Sequence, residues 1–273
     1  MDNLTDSVSN PSVDNQPEEE LSHSDKMIGV FTEPASTFDL IAKFPLKTID
    51  WLLPLILLFL VICITQVFLN TNKAIHSQIV DKQMAKVEKG FDQAVASGKM
   101  TAEQKTQQLD TIQSNMENYG TLQIVFTFVG VFVGGFIMFL IMSGIYFLFV
   151  KFALQGEGSY NSVLVASGLS CYIAIINMII ATILSFALSR MMQDASVASF
   201  LDSDRSTIVG FILAKLDVFA IWGYIVLSIG LAKLFKSSNT AKYYITTFGI
   251  WILGGLLFFF LAKAVPFLSN FGA

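Results

Sequence analysis

Long uncharged apolar runs alternate with polar stretches along most of this chain. A bilayer core about 30 Å thick requires roughly 20 apolar residues of helix. Four runs, free of charge except at their ends, are long enough to cross it, at about residues 51–69, 121–150, 162–189 and 243–263. We number them spans one, two, three and five, because a fourth candidate lies between the last two.

This fourth candidate, at about residues 208–232, contains charged residues near its start. A helix that begins at Ile208 places Lys215 and Asp217 inside the membrane, whereas a start near Leu216 leaves a short span. We predict one span here, span four, and leave its start open. The predicted fold is all-α: a polytopic membrane protein built on a five-transmembrane-helix bundle in residues 51–273.

Residues 72–118, between spans one and two, have a different pattern, with polar faces beside an apolar stripe. The stripe recurs at helical spacing, breaks at Ser97-Gly98, and resumes after Thr101-Ala-Glu-Gln104, which has the form of a capping box. Its members are Ile75, Ile79, Met84, Val87, Phe91, Val95, Leu109, Ile112 and Met116. We predict an extramembrane helical hairpin whose two stripes cover each other or, alternatively, await a partner protein.

The segment before span one divides into two parts. The first 25 residues contain seven acidic residues and no Lys or Arg. We therefore expect residues 1–26 to form a disordered acidic tail without a cleavable signal peptide. Residues 27–50 are predicted to form an amphipathic lead-in on the inner leaflet. In it, Pro34 suits a first helical turn, and Phe38 and Ile41 share one face.

Composition agrees with a membrane protein and adds an orientation. The chain is 53% hydrophobic and 14% charged, against roughly 25% charged in a soluble domain. Lysines flank the membrane before span one and between spans four and five, at Lys43, Lys47, Lys233, Lys236 and Lys242. The positive-inside rule then places the amino terminus in the cytoplasm and the carboxyl terminus outside.

Residues that carry chemistry are scarce. The two histidines, His23 and His76, fall in the predicted tail and hairpin, so an intramembrane His-Glu-x-x-His metalloprotease or a Ser-His hydrolase is disfavoured. A phosphate-binding Gly-x4-Gly-Lys loop is absent from the sequence. Cys63 and Cys171 both fall within predicted spans, where they act as small apolar residues. We therefore predict a protein without enzymatic activity, catalytic residues, metal or cofactor.

Two polar residues within the spans form the main candidate site. Burying the charge of Asp217 costs several kcal/mol by most scales, and Asn177 near the middle of span three can hydrogen-bond across helices. One interpretation is a solute pathway centred on these two residues. The alternative is that Asp217 caps span four at its mouth and stays partly hydrated while Lys215 reaches towards the surface. Separately, Gly130 and Gly134 in span two are predicted to let another helix pack closely, within the bundle or in a homodimer.

Several of these motifs together resemble those of the Yip family of Ypt/Rab-interacting membrane proteins, in its bacterial branch. The resemblance covers most of residues 28–262, and its most specific part is Leu216-Asp-Val-Phe-Ala-Ile-Trp222. The residues that carry it are Pro34, Phe38, Trp51, Pro54, Tyr160, Asp217, Phe219, Trp222 and Gly230. The resemblance implies a cytosolic amino terminus, five spans and, in eukaryotes, roles in vesicle traffic. Its bacterial branch implies a location in the bacterial cytoplasmic (inner) membrane. The chain departs from it after Tyr172, where the family commonly has a proline.

These observations favour a non-enzymatic membrane scaffold or adaptor that organises the membrane or recruits proteins. The expected partners are the lipid bilayer and either another protein or a second copy of the chain, and not nucleic acid. Whether the protein binds a small-molecule ligand is left open. The alternative is a small-solute transporter or channel, alone or as a subunit, that uses Asp217 and Asn177.

Overall fold

The computed structural model describes residues 19–117 and 120–264, which contain helices and no β-strand. The helices are α1 (His23–Thr32), α2 (Pro34–Ile41), α3 (Ile49–Thr71), α4 (Lys73–Ala96), α5 (Ala102–Glu117), α6 (Thr121–Leu148), α7 (Tyr160–Leu188), α8 (Val197–Phe200), α9 (Ile208–Lys215), α10 (Val218–Leu234), α11 (Ala241–Gly249) and α12 (Gly255–Ala264). The π-helical segment Phe149–Ala153 extends α6, and Ile250–Gly254 joins α11 to α12.

Within residues 19–117 and 120–264, four helical stretches are long and apolar enough to cross a membrane, and α10 is a shorter apolar helix. The long ones are Ile49–Thr71, Gln123–Ala153, Tyr160–Leu188 and Ala241–Ala264. Their outward faces carry large exposed apolar side chains, as lipid-facing surfaces require. The prediction of an all-α helical membrane bundle is confirmed.

Helix α7 lies at the centre of the bundle, since α3, α6 and α10 all pack against it. Its contact with α3 is very close at Gly168. A Cβ atom placed there would lie only 2.3 Å from the Cα of Trp51. Glycine at this position therefore sets the distance between spans one and three.

The lead-in α1 and α2 packs on the bundle. Phe38 on α2 is fully buried, and its ring lies against Gly230 of α10, where a Cβ would be 2.8 Å from the ring. The apolar face that the sequence assigned to the inner leaflet is thus covered by protein. This is possible because Gly230 leaves room for an aromatic ring on α10.

Part of the segment predicted to be a disordered tail is helical. The predicted disordered segment extended to residue 26, but α1 begins at His23. A capping box between Ser22 and Asp25 starts the helix by satisfying free backbone N–H groups at its first turn. Residues 1–18 lie outside the described part of the chain.

Span four is broken where its start was left open. Helix α9 ends at Lys215 and α10 begins at Val218, so residues 208–232 do not form one continuous helix. The break follows from Asp217, whose extended backbone and capping side chain start α10 anew.

The described residues place further helices and loops at both ends of the bundle. One end, which we term the α2 end, holds α1, α2 and the loops at 154–159 and 235–240. At the opposite end, the hairpin end, α4 and α5 pack against each other beside the loop at 189–207.

Candidate functional site

Asp217 and Asn177, the predicted pair, are in direct contact. The Asn177 amide Nδ2 donates to Asp217 Oδ2 over 2.9 Å, while Asp217 Oδ1 accepts from the backbone N–H groups of Phe219 and Ala220. Asp217 is only 2% exposed. It caps α10 as one interpretation held, but it does so in the interior and not at a hydrated mouth.

The same pair holds the loop that precedes it. Asn177 Oδ1 accepts from the backbone N–H of Ala195, and the Val197 N–H donates to the carbonyl of Leu216. The chain therefore folds back beside α7 before α9 begins. The arrangement is a buried carboxylate whose described partners are neutral donors. It stabilises the start of α10 by accepting from free backbone N–H groups there.

Lys215 does not pair with Asp217. Its ammonium group lies over the aromatic rings of Phe211 and Trp251, at 5.1 Å and 4.9 Å from their centroids. Residues two apart on a helix point to different sides, and the helix break separates them further. The cation is stabilised by ring faces instead of by a carboxylate.

A second buried network, which the sequence did not reveal, lies at the α2 end. Asp50, 1% exposed, accepts from Lys26 Nζ over 2.8 Å and lies 3.2 Å from His23 Nδ1. His23 Nε2 is 2.7 Å from the Tyr172 hydroxyl on α7. We refer to these four residues as the Lys26 network. It joins α1, the start of α3 and the middle of α7.

The signal for this network was present but weak. Asp50 directly precedes Trp51 at the start of span one, where an acid also suits the positive end of the helix dipole. Lys26 is the first base of the chain, directly after the acidic stretch. In the sequence, both residues look like ordinary charges that precede a membrane span, and only the fold brings them together. At its edge, a hydrogen bond from Lys47 lowers the pKa of Glu20.

The remaining motif residues have structural positions. Pro34 opens α2 and Pro54 is buried within α3. Trp51 stacks on Phe139 of α6, with ring centroids 5.9 Å apart. The other aromatic motif residues tie neighbouring segments: the Tyr160 hydroxyl donates to the Leu140 carbonyl, Trp222 contacts the ring of Phe31, and Phe219 lines a cavity between α6, α7 and α10.

The two glycines predicted to mediate helix packing contact no other helix among the described residues. A Cβ at Gly130 or Gly134 would meet nothing within 4 Å. The neighbouring Gly135 instead contacts Phe59 of α3, at 2.7 Å from the Cβ position. Both predicted residues lie on an exposed face of α6, so only the homodimer alternative still gives them a packing role.

The loop at the hairpin end contains its own ion pair. Both guanidinium NH groups of Arg205 donate to Asp194, over 2.7 Å and 2.8 Å. Burial raises the pKa of Asp194, but hydrogen bonds from Arg205, Ser196 and Ser199 outweigh it and lower this pKa to about 2. The pair shapes the loop that leads to α9.

The part of the chain that the structure describes holds no cluster of side chains suited to a metal ion. No three His, Cys, Asp or Glu residues there come together as a metal site would require. The two free cysteines, Cys63 and Cys171, are on different helices and do not form a disulfide.

Comparison with known proteins assigns the family. The model of the Yip1 domain matches residues 28–262, which is nearly the whole chain and includes both buried networks except His23 and Lys26. No curated protein and no solved structure matches the chain significantly. The chain therefore belongs to the Yip1 domain family.

Proposed function

We propose that this integral membrane protein is a non-enzymatic scaffold or adaptor that organises the membrane or recruits protein partners. The observation that carries the proposal is the α4–α5 hairpin. It is a 24-residue helix followed by a 16-residue helix, both outside the predicted spans. Such a projecting helical pair offers a contact surface that a bundle buried in lipid does not.

The hairpin is self-supporting but incompletely covered. Lys105 on α5 forms ion pairs with Glu88 and Asp92 on α4, and the hydrogen bond to Asp92 raises the pKa of the lysine. After Val80, the residues of the apolar stripe on α4 and α5 are only half-buried, for example Phe91 and Ile112. Partial burial leaves apolar area for a partner helix to cover.

Both extramembrane layers are fixed to the bundle. At the hairpin end, Gln78 bonds the backbone of Ser189 and Met191, and Lys82 pairs with Asp202. At the α2 end, the Lys26 network anchors α1. A protein bound to either layer would thus be held at a defined position relative to the membrane.

Site-specific photocrosslinking in cells tests this role. A photoreactive residue at Gln107, exposed on α5, is expected to give discrete protein adducts that weaken when Phe91 is changed to Ser. The matched control is Leu253, which is 66% exposed in the apolar stretch Ala241–Ala264 and is expected to give none. Identical patterns at the two positions, or a chain recovered only as an uncrosslinked monomer, would contradict the adaptor role.

We further propose that the α2 end faces the cytoplasm of a bacterial inner membrane. The lysines before span one and between spans four and five support this orientation. An impermeant maleimide applied to intact cells is expected to label Ser206→Cys, at the hairpin end, and not Ser238→Cys, at the α2 end. Both positions are exposed, so the reverse labelling would invert the topology.

A second candidate function, solute transport, is favoured by the helix break at Asp217. Broken membrane helices with a buried acid are typical of transporter sites. If this candidate is correct, proteoliposomes with the wild-type chain dissipate an imposed pH gradient faster than empty liposomes, as a pH-sensitive dye reports. The Asp217→Asn variant, which keeps size and capping geometry, then loses that flux. Equal rates for all three would leave the adaptor role as the sole candidate.

A further inference from the structure

Lys215 places a charged group deep within the membrane-spanning bundle. Its ammonium nitrogen lies over the ring of Trp251, and a Cβ placed at Gly255 would be 3.1 Å from that nitrogen. Both residues fall in the interior of the membrane-crossing stretch Ala241–Ala264. At about 1.5 Å per residue, Gly255 is roughly 13 Å from the nearer end of that stretch, which is farther than a lysine side chain reaches.

No carboxylate neutralises this ammonium group among the residues that the structure describes. The nitrogen lies over the rings of Phe211 and Trp251, and it forms no ion pair or hydrogen bond with a described residue. Asp217, the acid nearest in sequence, is bonded to Asn177 and to backbone N–H groups instead. Ring faces attract a cation, but they carry no net charge. Because charges in lipid are costly, ionisable side chains in membrane helices are usually paired or functional.

The lysine borders a surface that the described helices leave open. Lys215 is half-buried, and its nitrogen is not among the fully enclosed, unpaired polar atoms of the described residues. Ile212 lies three residues earlier on the same face of α9, and Leu216 follows directly; they are 54% and 50% exposed. The lysine is therefore a single charge at the edge of an apolar, uncovered surface.

Span five changes its winding beside the lysine. Residues Ile250–Gly254 are π-helical, and short π-helical segments are rare and frequently occur at functional sites. Trp251 belongs to this segment, and its ring stacks on Tyr224 of α10 with centroids 4.5 Å apart. The ring that contacts the ammonium group is thus fixed by α10, so Lys215 is held at a defined position.

The depth of Lys215 restricts which negative group can neutralise it. A lipid headgroup stays at the membrane surface, roughly two helical turns from Gly255. A second copy of this chain offers no accessible acid at this depth among the described residues, since Asp217 is only 2% exposed. A small anion in the cavity of about 350 Å³ between α6, α7 and α10 would not meet Lys215, which does not line it. A Glu or Asp in a membrane helix of another protein meets every requirement.

We propose that Lys215 docks a membrane helix of another protein that carries a Glu or Asp near its middle. The partner helix lies along α9, where its apolar side chains cover Ile212 and Leu216 and its carboxylate pairs with the ammonium group. Opposite charges attract strongly here because lipid has a low dielectric constant. Leu253, two residues from both Trp251 and Gly255, is on the opposite face of span five and stays in contact with lipid.

The docking site rests on the proposed adaptor role in one respect, the existence of a protein partner, and it uses no part of the α4–α5 hairpin. A model peptide tests it directly. The probe is a leucine-rich transmembrane peptide of about 20 residues with one central Glu and an acceptor dye. The matched probe has Gln in place of that Glu. The full-length protein carries a donor dye at Ser206→Cys, and energy transfer is titrated in phosphatidylcholine vesicles.

We expect the Glu peptide to bind at least about fivefold more tightly than the Gln peptide, a gain typical of polar contacts between membrane helices. Lys215→Met should reduce binding of the Glu peptide to the level of the Gln peptide, and Lys215→Arg should retain most of it. The control is Lys263→Met, because Lys263 also lies over a ring, 4.4 Å from the centroid of Phe259, but at the end of span five. Binding by this control should not change.

Two further readouts separate docking from folding and from self-association. Lys215→Met should keep the melting temperature of the wild type, and the comparison of the two peptides on the wild type needs no variant. Equal binding of both peptides, equal binding of the Glu peptide by wild type and Lys215→Met, or the same loss in Lys263→Met would each overturn the proposal. Energy transfer between two labelled copies of the chain that disappears in Lys215→Met would also overturn it. Any of these results leaves the crosslinking test at Gln107 unaffected, because that test reports on the hairpin.

Discussion

Replacing Lys26 with methionine should release α1 from the bundle. The lysine ammonium is buried against Asp50 over 2.8 Å, and their side chains are 4% and 1% exposed. Removing one partner of a buried ion pair costs about 3–5 kcal/mol, because the other charge stays buried without compensation. His23 still contacts Asp50 in the variant, so we expect the lower end, about 3 kcal/mol. Since about 1.4 kcal/mol is a tenfold change, undocked α1 should become more than about a hundredfold more populated.

Hydrogen exchange of α1 amides in nanodiscs measures this population directly. The double variant Lys26→Met, Asp50→Leu removes both charges, so it should regain most of the lost protection. The control is Lys47→Met, whose exposed pair with Glu20 should contribute about 0–1 kcal/mol. The reasoning is refuted if Lys26→Met changes protection of α1 less than fivefold, or if the double variant is as unprotected as the sum of the single ones.

Two other predictions concern packing and pH. Gly168→Ala should destabilise the bundle by about 1–3 kcal/mol or more, because the new Cβ meets the α3 backbone at Trp51. Gly134→Ala should leave the melting temperature in detergent unchanged or slightly raised, and a comparable loss in both variants would contradict the close contact at Gly168. The folded-state pKa of Asp194, about 2, lies below its ordinary value of 3.8. The ionised carboxylate therefore adds about 2 kcal/mol to the free energy of unfolding above pH 4, and this stabilisation is lost as pH falls towards 2. Hydrogen exchange between pH 4 and 2 checks this, because amide protection of the loop at 189–207 should fall over that range. In the Arg205→Gln variant, protection of the loop should depend less on pH.

The broad fold was predictable because it depends on hydropathy along the chain, which each segment shows by itself. A run without charge is long enough to span lipid whatever its neighbours are, so Trp51 onwards and Tyr243 onwards could be assigned from sequence. Boundaries set by a side-chain contact were less accessible. The break at Asp217 requires its carboxylate to cap α10, and hydropathy averaged over a span does not register a single capping residue.

The candidate site was only partly predictable for a similar reason. Asp217 and Asn177 were identified because polar residues within apolar runs are conspicuous. Asp50 and Lys26 were missed because each lies beside other charged residues, where burial is not expected. Their burial results from the packing of α1 on α3 and α7, a contact between segments far apart in the chain. Gly130 and Gly134 illustrate the converse, since a motif in sequence carried no information on which face of α6 meets α3.

The docking of α2 on α10 has a consequence for biogenesis. Asp39 of α2 and Lys233 of α10 form an ion pair although they are 194 positions apart in the chain. Phe38 of α2 likewise packs against Gly230 of α10. Helices α1 and α2 leave the ribosome before α10, which carries their binding surface, has been synthesised. At roughly 5–20 residues per second, they wait about 10–40 s before α10 exists. During that interval the apolar face of α2 is uncovered, so a chaperone or the membrane surface must shield it until span four is in place.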